Sequence, residues 1–440
     1  MGPGILRNPV WLVLAAILCA VGTWTYAERV LIAYQVSDAA AHDRPRGNLS
    51  DLYPRWLGAR ELLLHGRDPY SAEVTSEIQA GYYGRPLDAS RPDDPHDKAG
   101  FAYPVYVVFF LAPTVRIPFP VVQRCFFWLL VVVTLAVSML WLRVLRWSLP
   151  CWSQVCVLAL TVGSIAVMQG LKLQQITLLV AGLIVAAIAL LIAGQFIAAG
   201  ILLAVATIKP QIVVLLLLLW LALWTLGDWR RRYRLFVSFV VSMAVLCGAA
   251  EWLLPHWILR FWHALHDYQS YTGAISVLDG LLGTPSIAAP WSWILEFGAF
   301  AALLVACWRE RKESANSQSF AFMVSLVLAV TILLVPTSAQ YNQVLLIPAL
   351  LWLVKERRSI WQRSRINRLF FVMTAALVVW PWISSVLLAA LSFILPRNVV
   401  ERAWAVPIWT TTQIPVAVAA LMLLLYYQKT FAASERPGSS

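Results

Sequence analysis

Residues 176–227 read ITLLVAGLIVAAIALLIAGQFIAAGILLAVATIKPQIVVLLLLLWLALWTLG, and Lys209 is the one charged side chain among them. About 20 apolar residues suffice for a helix to cross a hydrocarbon core of about 30 Å. Here apolar runs at 175–193, 195–208 and 210–227 follow one another, broken only at Gly194-Gln195 and Lys209-Pro210. Outward from this stretch, further runs occupy 9–33, 120–147, 152–170, 235–254, 288–307, 319–336, 341–354, 369–390 and 404–427, with a shorter one at 101–117.

The whole chain follows the same pattern. Of its 440 residues 60% are hydrophobic and 13% charged, and the mean hydropathy is +0.72. A soluble domain carries about 25% charged residues, so a water-soluble globule of this size would lack polar residues for its surface. The chain reads as an all-α polytopic membrane protein, which excludes a soluble enzyme, a secreted disulfide scaffold and a disordered chain. Its 22 Trp suit the water–lipid boundary, since an indole has an apolar body and one N–H that wants water.

Charge sets the expected topology. Basic clusters stand at Arg143 and Arg146, at Arg230 to Arg234, at Arg309 to Lys312, at Lys355 to Arg368 and at Lys429. Four, two, two and two apolar runs separate them in turn, so all five can share one face, which the positive-inside rule makes cytoplasmic. Arg7 places the N-terminus there too. The segment 101–117 is punctuated by Pro104, Pro113 and Pro118, which break helices. It therefore reads as a short re-entrant or interfacial segment that does not cross, giving about 12 crossings. Thirteen is the alternative and would strand one basic cluster outside. The net charge of +12 belongs to these clusters and not to a nucleic-acid groove. The six cysteines lie in or beside apolar stretches with no CxxC among them, so buried thiols are expected, without metal or disulfide.

This topology collects the polar exceptions on one side. Lys172, Gln174, Gln175, Lys209, Gln211, Gln340, Tyr341, Asn342 and Gln343 all fall at external helix ends, beneath the large loop 34–100. That loop holds half of the 22 acidic residues, and a second external loop spans 255–287. In the first loop Asp51 precedes a helix-like run containing Trp56 and Leu57. Its carboxylate at the membrane surface suits proton abstraction from a hydroxyl; the plainer reading is an N-cap by Asp51 or Ser50. Lys209, before Pro210, suits a phosphate held as a point charge, or else it snorkels from a helix end. Gln175 and Thr177 suit hydrogen bonds to a sugar hydroxyl, or else they cap a tight turn. His263, His266 and Asp267 are spaced too loosely for a metal set and read as an interfacial helix.

The order of motifs carries a resemblance. SDLYPRWLGARELLLHGRDPY at 50–70, FAYPVYVVFFLAP at 101–113, LQQITLL at 173–179 and AAGILLAVATIKPQ at 198–211 together resemble glycosyltransferase family 87, membrane mannosyltransferase-like enzymes of the GT-C superfold. The resemblance runs from Asp51 to Leu217, with weaker support around Pro336–Pro348. It implies one integral membrane GT-C domain over 1–428; the low-complexity end at 429–440 reads as a disordered cytoplasmic tail. The resemblance implies transfer of a sugar, typically mannose, from a polyprenyl-phosphate donor to a lipid or glycan acceptor on the extracytoplasmic side of a bacterial inner membrane.

In this picture Asp51 takes the place of the catalytic base, and Lys209 with Arg55 and Lys172 would hold the donor phosphate. Tyr53, Gln175, Tyr103, Gln211 and Tyr341 would contact sugar or acceptor. Gln174 stands where the family usually has Gly, and Thr177 where it has an amide or serine. A base opposite a departing phosphate implies inversion at the anomeric carbon, and the scheme calls for no metal and no cofactor. Membrane lipids are expected partners and nucleic acid is not. The alternatives are a secondary transporter and a lipid-linked-sugar flippase; a midplane ionisable site would mark the transporter.

Overall fold

The structure, a computed structural model, describes residues 9–45, 50–88, 90–91, 93–213, 217–272, 276–282, 285–335 and 339–434. Among these residues it is helical and without strands. Each long apolar run of the sequence corresponds to one helix or to a pair in series.

Among the described residues six helices are long and apolar enough to cross a membrane: Pro9–Ala41, Phe119–Val144, Trp229–Leu253, Trp291–Lys312, Arg365–Leu391 and Arg397–Lys429. The pair Cys151–Val162 and Ile165–Lys172, bent by 58°, makes a seventh if it is one span. The expected twelve are therefore not reached by length and composition. The difference lies in four shorter apolar helices, Ile176–Ile192, Phe196–Ala206, Leu217–Gly227 and Gln318–Leu334, and in the run 341–354, which divides between the 3-10 helix Gln340–Leu346 and the nine-residue helix Ile347–Lys355. At 1.5 Å per residue the longest of them extends about 25 Å, short of a hydrocarbon core of about 30 Å.

These short helices form much of the interior. Ile176–Ile192 and Gln318–Leu334 are buried along most of their length, as expected of helices apolar on all sides. The long helices surround them. Phe119–Val144 and Phe196–Ala206 pack on Ile176–Ile192, while Trp229–Leu253 packs on Phe196–Ala206. Where the inner helices stop early, polar turns lie within the stack, at 172–177, 207–211 and 339–346. This shortening brings hydrophilic side chains inward.

The five basic clusters meet at one end. The Arg146 guanidinium donates to Asn316 Oδ1 at 2.9 Å, and Lys355 Nζ to the Leu145 carbonyl at 2.8 Å. Arg232 donates to the Arg311 carbonyl at 2.9 Å, and Lys429 to Ser319 Oγ at 3.3 Å.

Several boundaries differ from the sequence reading. The first helix continues through a π-helical turn at Ala27–Leu31 as far as Ala41, so the loop expected from residue 34 starts later. The Ala39-Ala40-Ala41 run favours continued helix. At the other end, residues 429–434 of the expected disordered tail continue the helix Ile414–Ser434. Adding a residue to an existing helix is far easier than nucleating one. Arg7 and residues 435–440 lie outside the described residues, as do Pro336, Thr337 and Ser338. All six cysteines are free, but of the buried thiols expected only Cys307 is buried; Cys19, Cys156 and Cys247 are half-buried and Cys125 and Cys151 exposed. The segment 101–117 forms a short helix, Val107–Leu111, and one 3-10 turn, packed beneath helix Leu52–His65. Five helical residues extend about 8 Å, far too short to cross.

Candidate functional site

The helix Ile165–Lys172 ends in a turn that prepares the site. Gln174 has φ 51°, the left-handed region that favours glycine. The Gln175 amide donates to the Gly170 carbonyl at 2.8 Å, and the Gln174 amide to the Leu171 carbonyl at 3.3 Å. This is a Schellman termination, which explains why a glycine suits position 174. Here the Gln174 side chain donates instead to the Gln123 carbonyl at 2.5 Å. The Leu173 carbonyl, left over at the helix end, accepts the Asp51 backbone N–H at 3.0 Å. The turn thus anchors the start of helix Leu52–His65.

Asp51 occupies the N-cap position of that helix, yet its side chain makes no capping bond. Gln175 Nε2 donates to Oδ2, and the Tyr82 hydroxyl donates to Oδ1 at 3.4 Å. Burial pushes the Asp51 carboxyl upward, opposed by the Arg55 and Lys209 charges and the Tyr82 hydrogen bond, while Asp97 adds to the rise. The capping reading therefore does not describe this carboxylate.

Lys209 stands in the turn after helix Phe196–Ala206. Its side chain is only 3% exposed. The ammonium donates to Thr177 Oγ1 at 2.5 Å and to Asn342 Oδ1 at 3.3 Å, and lies 4.7 Å from the centre of the Tyr341 ring. Thr177 also donates to Asn342 Oδ1 at 3.1 Å. Lys209 does not snorkel outward. Burial and then the nearby Arg55 charge lower its pKa to about 7, with Asp51 opposing. Its turn is held by the Tyr106 hydroxyl, which donates to the Thr207 carbonyl at 3.0 Å.

Arg55 lies one helical turn after Asp51, and its guanidinium stacks over the Tyr103 ring at 4.3 Å. Tyr103 is fixed by the Tyr70 hydroxyl, which donates to the Tyr103 carbonyl at 2.5 Å. Gly58 lets helix Leu52–His65 sit directly on the Phe101 ring, where any Cβ would overlap it. Tyr268, from helix Trp257–Thr272, comes close enough to Arg55, Tyr103 and Asp51 to share their electrostatics. Ser50 Oγ, Arg55 Nε and Gln175 Oε1 are buried without a hydrogen-bond partner among the described residues. Such atoms usually find a partner, so the cluster presents polar groups suited to a polar ligand.

The arrangement is a carboxylate and two cations beside one helix start. Gln175, the N-cap of Ile176–Ile192, carries the carboxylate, and Thr177 in its first turn carries the ammonium. Chemically this pairs a proton acceptor with a site for a multiply charged anion.

Of the residues singled out in the sequence, Asp51, Arg55, Tyr103, Gln175, Lys209 and Tyr341 come together. Gln211, half-buried, follows Lys209 in the short helix Pro210–Val213. Two go elsewhere. Lys172 is ion-paired with Glu28 and lies 5.5 Å from the Trp24 ring, so it fastens two helices. Tyr53 faces away, its ring 4.9 Å from Phe119 and 6.0 Å from Trp56, against Gly81. Tyr82 and Tyr268 were missing from the sequence reading, and Asn342 was grouped there with the external polar residues but given no role. Asn342 carried a signal, being an amide at a helix end beside Tyr341. Tyr82 and Tyr268 carried none that separates them from the other tyrosines.

The family model for glycosyltransferase family 87 matches residues 101–337, just over half of the chain. The chain belongs to this family and is a membrane glycosyltransferase. No curated protein matches it, and no solved structure does. The matched span contains Gln175, Thr177 and Lys209; Asp51 and Arg55 precede it.

Proposed function

We propose that this family 87 glycosyltransferase moves a mannosyl residue from polyprenyl-phosphate mannose to a hydroxyl of a lipid or glycan acceptor, on the extracytoplasmic face of a bacterial inner membrane. The observation that carries this reading is the Asp51 carboxylate, released from helix capping, held by Gln175 and Tyr82 and facing the Arg55 and Lys209 charges. An acid-free departure of phosphate needs cations at the leaving group, and attack by a hydroxyl needs a base.

In the proposed step the acceptor oxygen bonds to the anomeric carbon as the bond from that carbon to the phosphate oxygen breaks. The acceptor proton passes to Asp51, and the bonding electrons leave with polyprenyl phosphate. Lys209 and Arg55 bind that phosphate, beside the first-turn N–H groups of Ile176–Ile192, which favour an anion. With base and leaving group on opposite sides of the sugar, a single displacement inverts the anomeric carbon. Tyr103 and Tyr341 orient the sugar, Gln175 positions the base, and no residue in this scheme requires a metal or cofactor. The five basic clusters on the far end support an external site by the positive-inside rule.

The test uses membranes containing the full chain and radiolabelled polyprenyl-phosphate mannose. Asp51→Asn keeps the shape of the side chain and is expected to lower transfer by about 10²- to 10⁴-fold, the usual worth of a general base. Full transfer by that variant would remove Asp51 as the base. Labelled donor that yields no new glycoside with the wild-type chain, while another polyprenyl-linked sugar does, would change the donor assignment alone.

A further inference from the structure

At the end of the molecule where the basic clusters meet, a cavity of about 360 Å³ opens between helices Trp291–Lys312, Gln318–Leu334, Ile347–Lys355 and Arg397–Lys429. It is a separate place from the Asp51–Lys209 cluster. The helix Gln318–Leu334 begins at this cavity and ends near Asn342, a separation of about 24 Å along its axis.

The cavity has two kinds of wall. Its floor is apolar and aromatic: the Phe322 ring meets Trp352 edge-on at 4.6 Å and stacks with Tyr426 at 6.3 Å. Its rim carries Lys355, Arg363 and Lys429. Among the described residues none of these three forms an ion pair within 4.0 Å. Lys355 donates to the Leu145 carbonyl and to Gln318 Oε1, and Lys429 to Ser319 Oγ, all neutral acceptors. Glu310 and Glu356 also line the cavity, so its charged residues sum to one positive charge. Glu310 accepts a hydrogen bond from the Tyr426 hydroxyl at 3.3 Å. Arg357, Arg358, Arg365 and Arg368 stand nearby in sequence and extend the positive potential over the mouth.

One negative charge joined to an apolar body complements this lining. The cavity also sits at the ends of two spans, Trp291–Lys312 and Arg397–Lys429, the level at which lipid headgroups lie. Basic pockets between helices at that level select anionic headgroups. We infer that the cavity binds an anionic phosphodiester lipid of the phosphatidylglycerol kind, with its phosphate on Arg363 and Lys429 and the start of its acyl chains against Phe322 and Trp352. A free inorganic phosphate shares the anionic chemistry but would leave the aromatic floor unused, so the lipid is the assigned source.

The experiment measures lipid retention on the delipidated full chain by native mass spectrometry. Phosphatidylglycerol, phosphatidylcholine and inorganic phosphate are each added in turn. The wild-type chain is expected to retain phosphatidylglycerol in preference to phosphatidylcholine, with inorganic phosphate failing to displace it. Arg363→Gln with Lys429→Gln should weaken that retention roughly 30-fold, from the usual worth of two membrane-surface cations. Arg357→Gln with Arg358→Gln removes equal charge outside the cavity and should leave most of the preference. Ser319→Trp, which occupies the space without changing charge, should mimic the first double variant and covers the case in which that variant fails to fold. Equal losses from both double variants would mean diffuse attraction and overturn the site. Equal retention of phosphatidylcholine, or displacement by inorganic phosphate, would overturn the lipid assignment.

Discussion

Arg232 and Lys209 are both sealed from solvent, 6% and 3% exposed, at opposite ends of the helix stack, and they are held in opposite ways. The Arg232 guanidinium donates to the carbonyls of Trp224, Arg311, Lys312 and Glu313 at 2.6 to 3.3 Å and lies 3.9 Å from the Trp224 ring centre. It closes a helix end with a rigid five-donor fork and has little capacity left for a ligand. Lys209 has two neutral oxygens, one aromatic face and a like charge nearby. Its surroundings do not compensate its charge fully. The first cation is built into the fold, whereas the second, in the proposed mechanism, is kept available for an anion.

The comparison is sharpened first by removing each cation. Arg232→Gln leaves several buried carbonyls without donors, at about 1 to 3 kcal/mol each before relaxation. It should lower the thermal unfolding midpoint by several degrees, measured in detergent, with residual transfer scaling with folded protein. Lys209→Met should do the reverse. Losing one preorganised charge contact at a leaving group costs about 3 kcal/mol of transition-state stabilisation, a 10²- to 10³-fold fall in transfer. Its midpoint should stay unchanged or rise, because replacing a poorly compensated buried charge by an apolar group is often neutral or stabilising. Equal destabilisation by both substitutions would break the distinction.

Titration provides a subtler probe. Lys209 is lowered from its ordinary value of 10.5 to about 7. Between those limits the unfolded chain binds a proton that the folded chain lacks, so stability should rise with pH across this window. The rise should flatten in Lys209→Met. In the free enzyme the transfer rate should fall as pH climbs above about 7 and Lys209 loses its proton. It should also fall on the acid side as the upshifted Asp51 carboxyl gains one. A pH–rate profile of kcat/KM for the wild type and both variants checks the two limbs.

The smallest effect concerns the turn that seats Asp51. A non-glycine residue in the left-handed region costs about 1 kcal/mol, and a side-chain hydrogen bond contributes a similar amount. Gln174→Gly should therefore leave the midpoint nearly unchanged, strain relief offsetting the lost bond to Gln123. Gln174→Ala loses the bond and keeps the strain, so it should be measurably less stable than the glycine variant.

Much of this was legible in the sequence. The apolar runs located the helices, the parity of runs between basic clusters predicted a shared face, and the external polar residues predicted where Asp51 and Lys209 would meet. The limits were also physical. Lys172 and Lys209 look alike in sequence, each beside an apolar run, and only Glu28, 144 residues from Lys172, distinguishes them. Length and composition do not confirm the number of crossings, because apolarity records burial as well as lipid contact, and the inner helices are apolar without being long. Tyr53 lies two residues after Asp51, and at about 100° per residue it points to the opposite side of the helix, which sends its ring to Phe119. Tyr82 reaches Asp51 from a different helix, by a contact no local spacing encodes.

The seat of Asp51 is made largely of main chain, the Leu173 carbonyl holding the Asp51 amide. Every residue supplies that carbonyl, and every residue except proline supplies that amide. Replacing side chains on either segment leaves this tie in place. Deleting one residue between Gly170 and Gln175 would instead shift the register of the turn and swing the carbonyl away. The proposed reaction centre therefore tolerates spelling changes here far better than a frame slip, and an indel scan would reveal its position more sharply than an alanine scan.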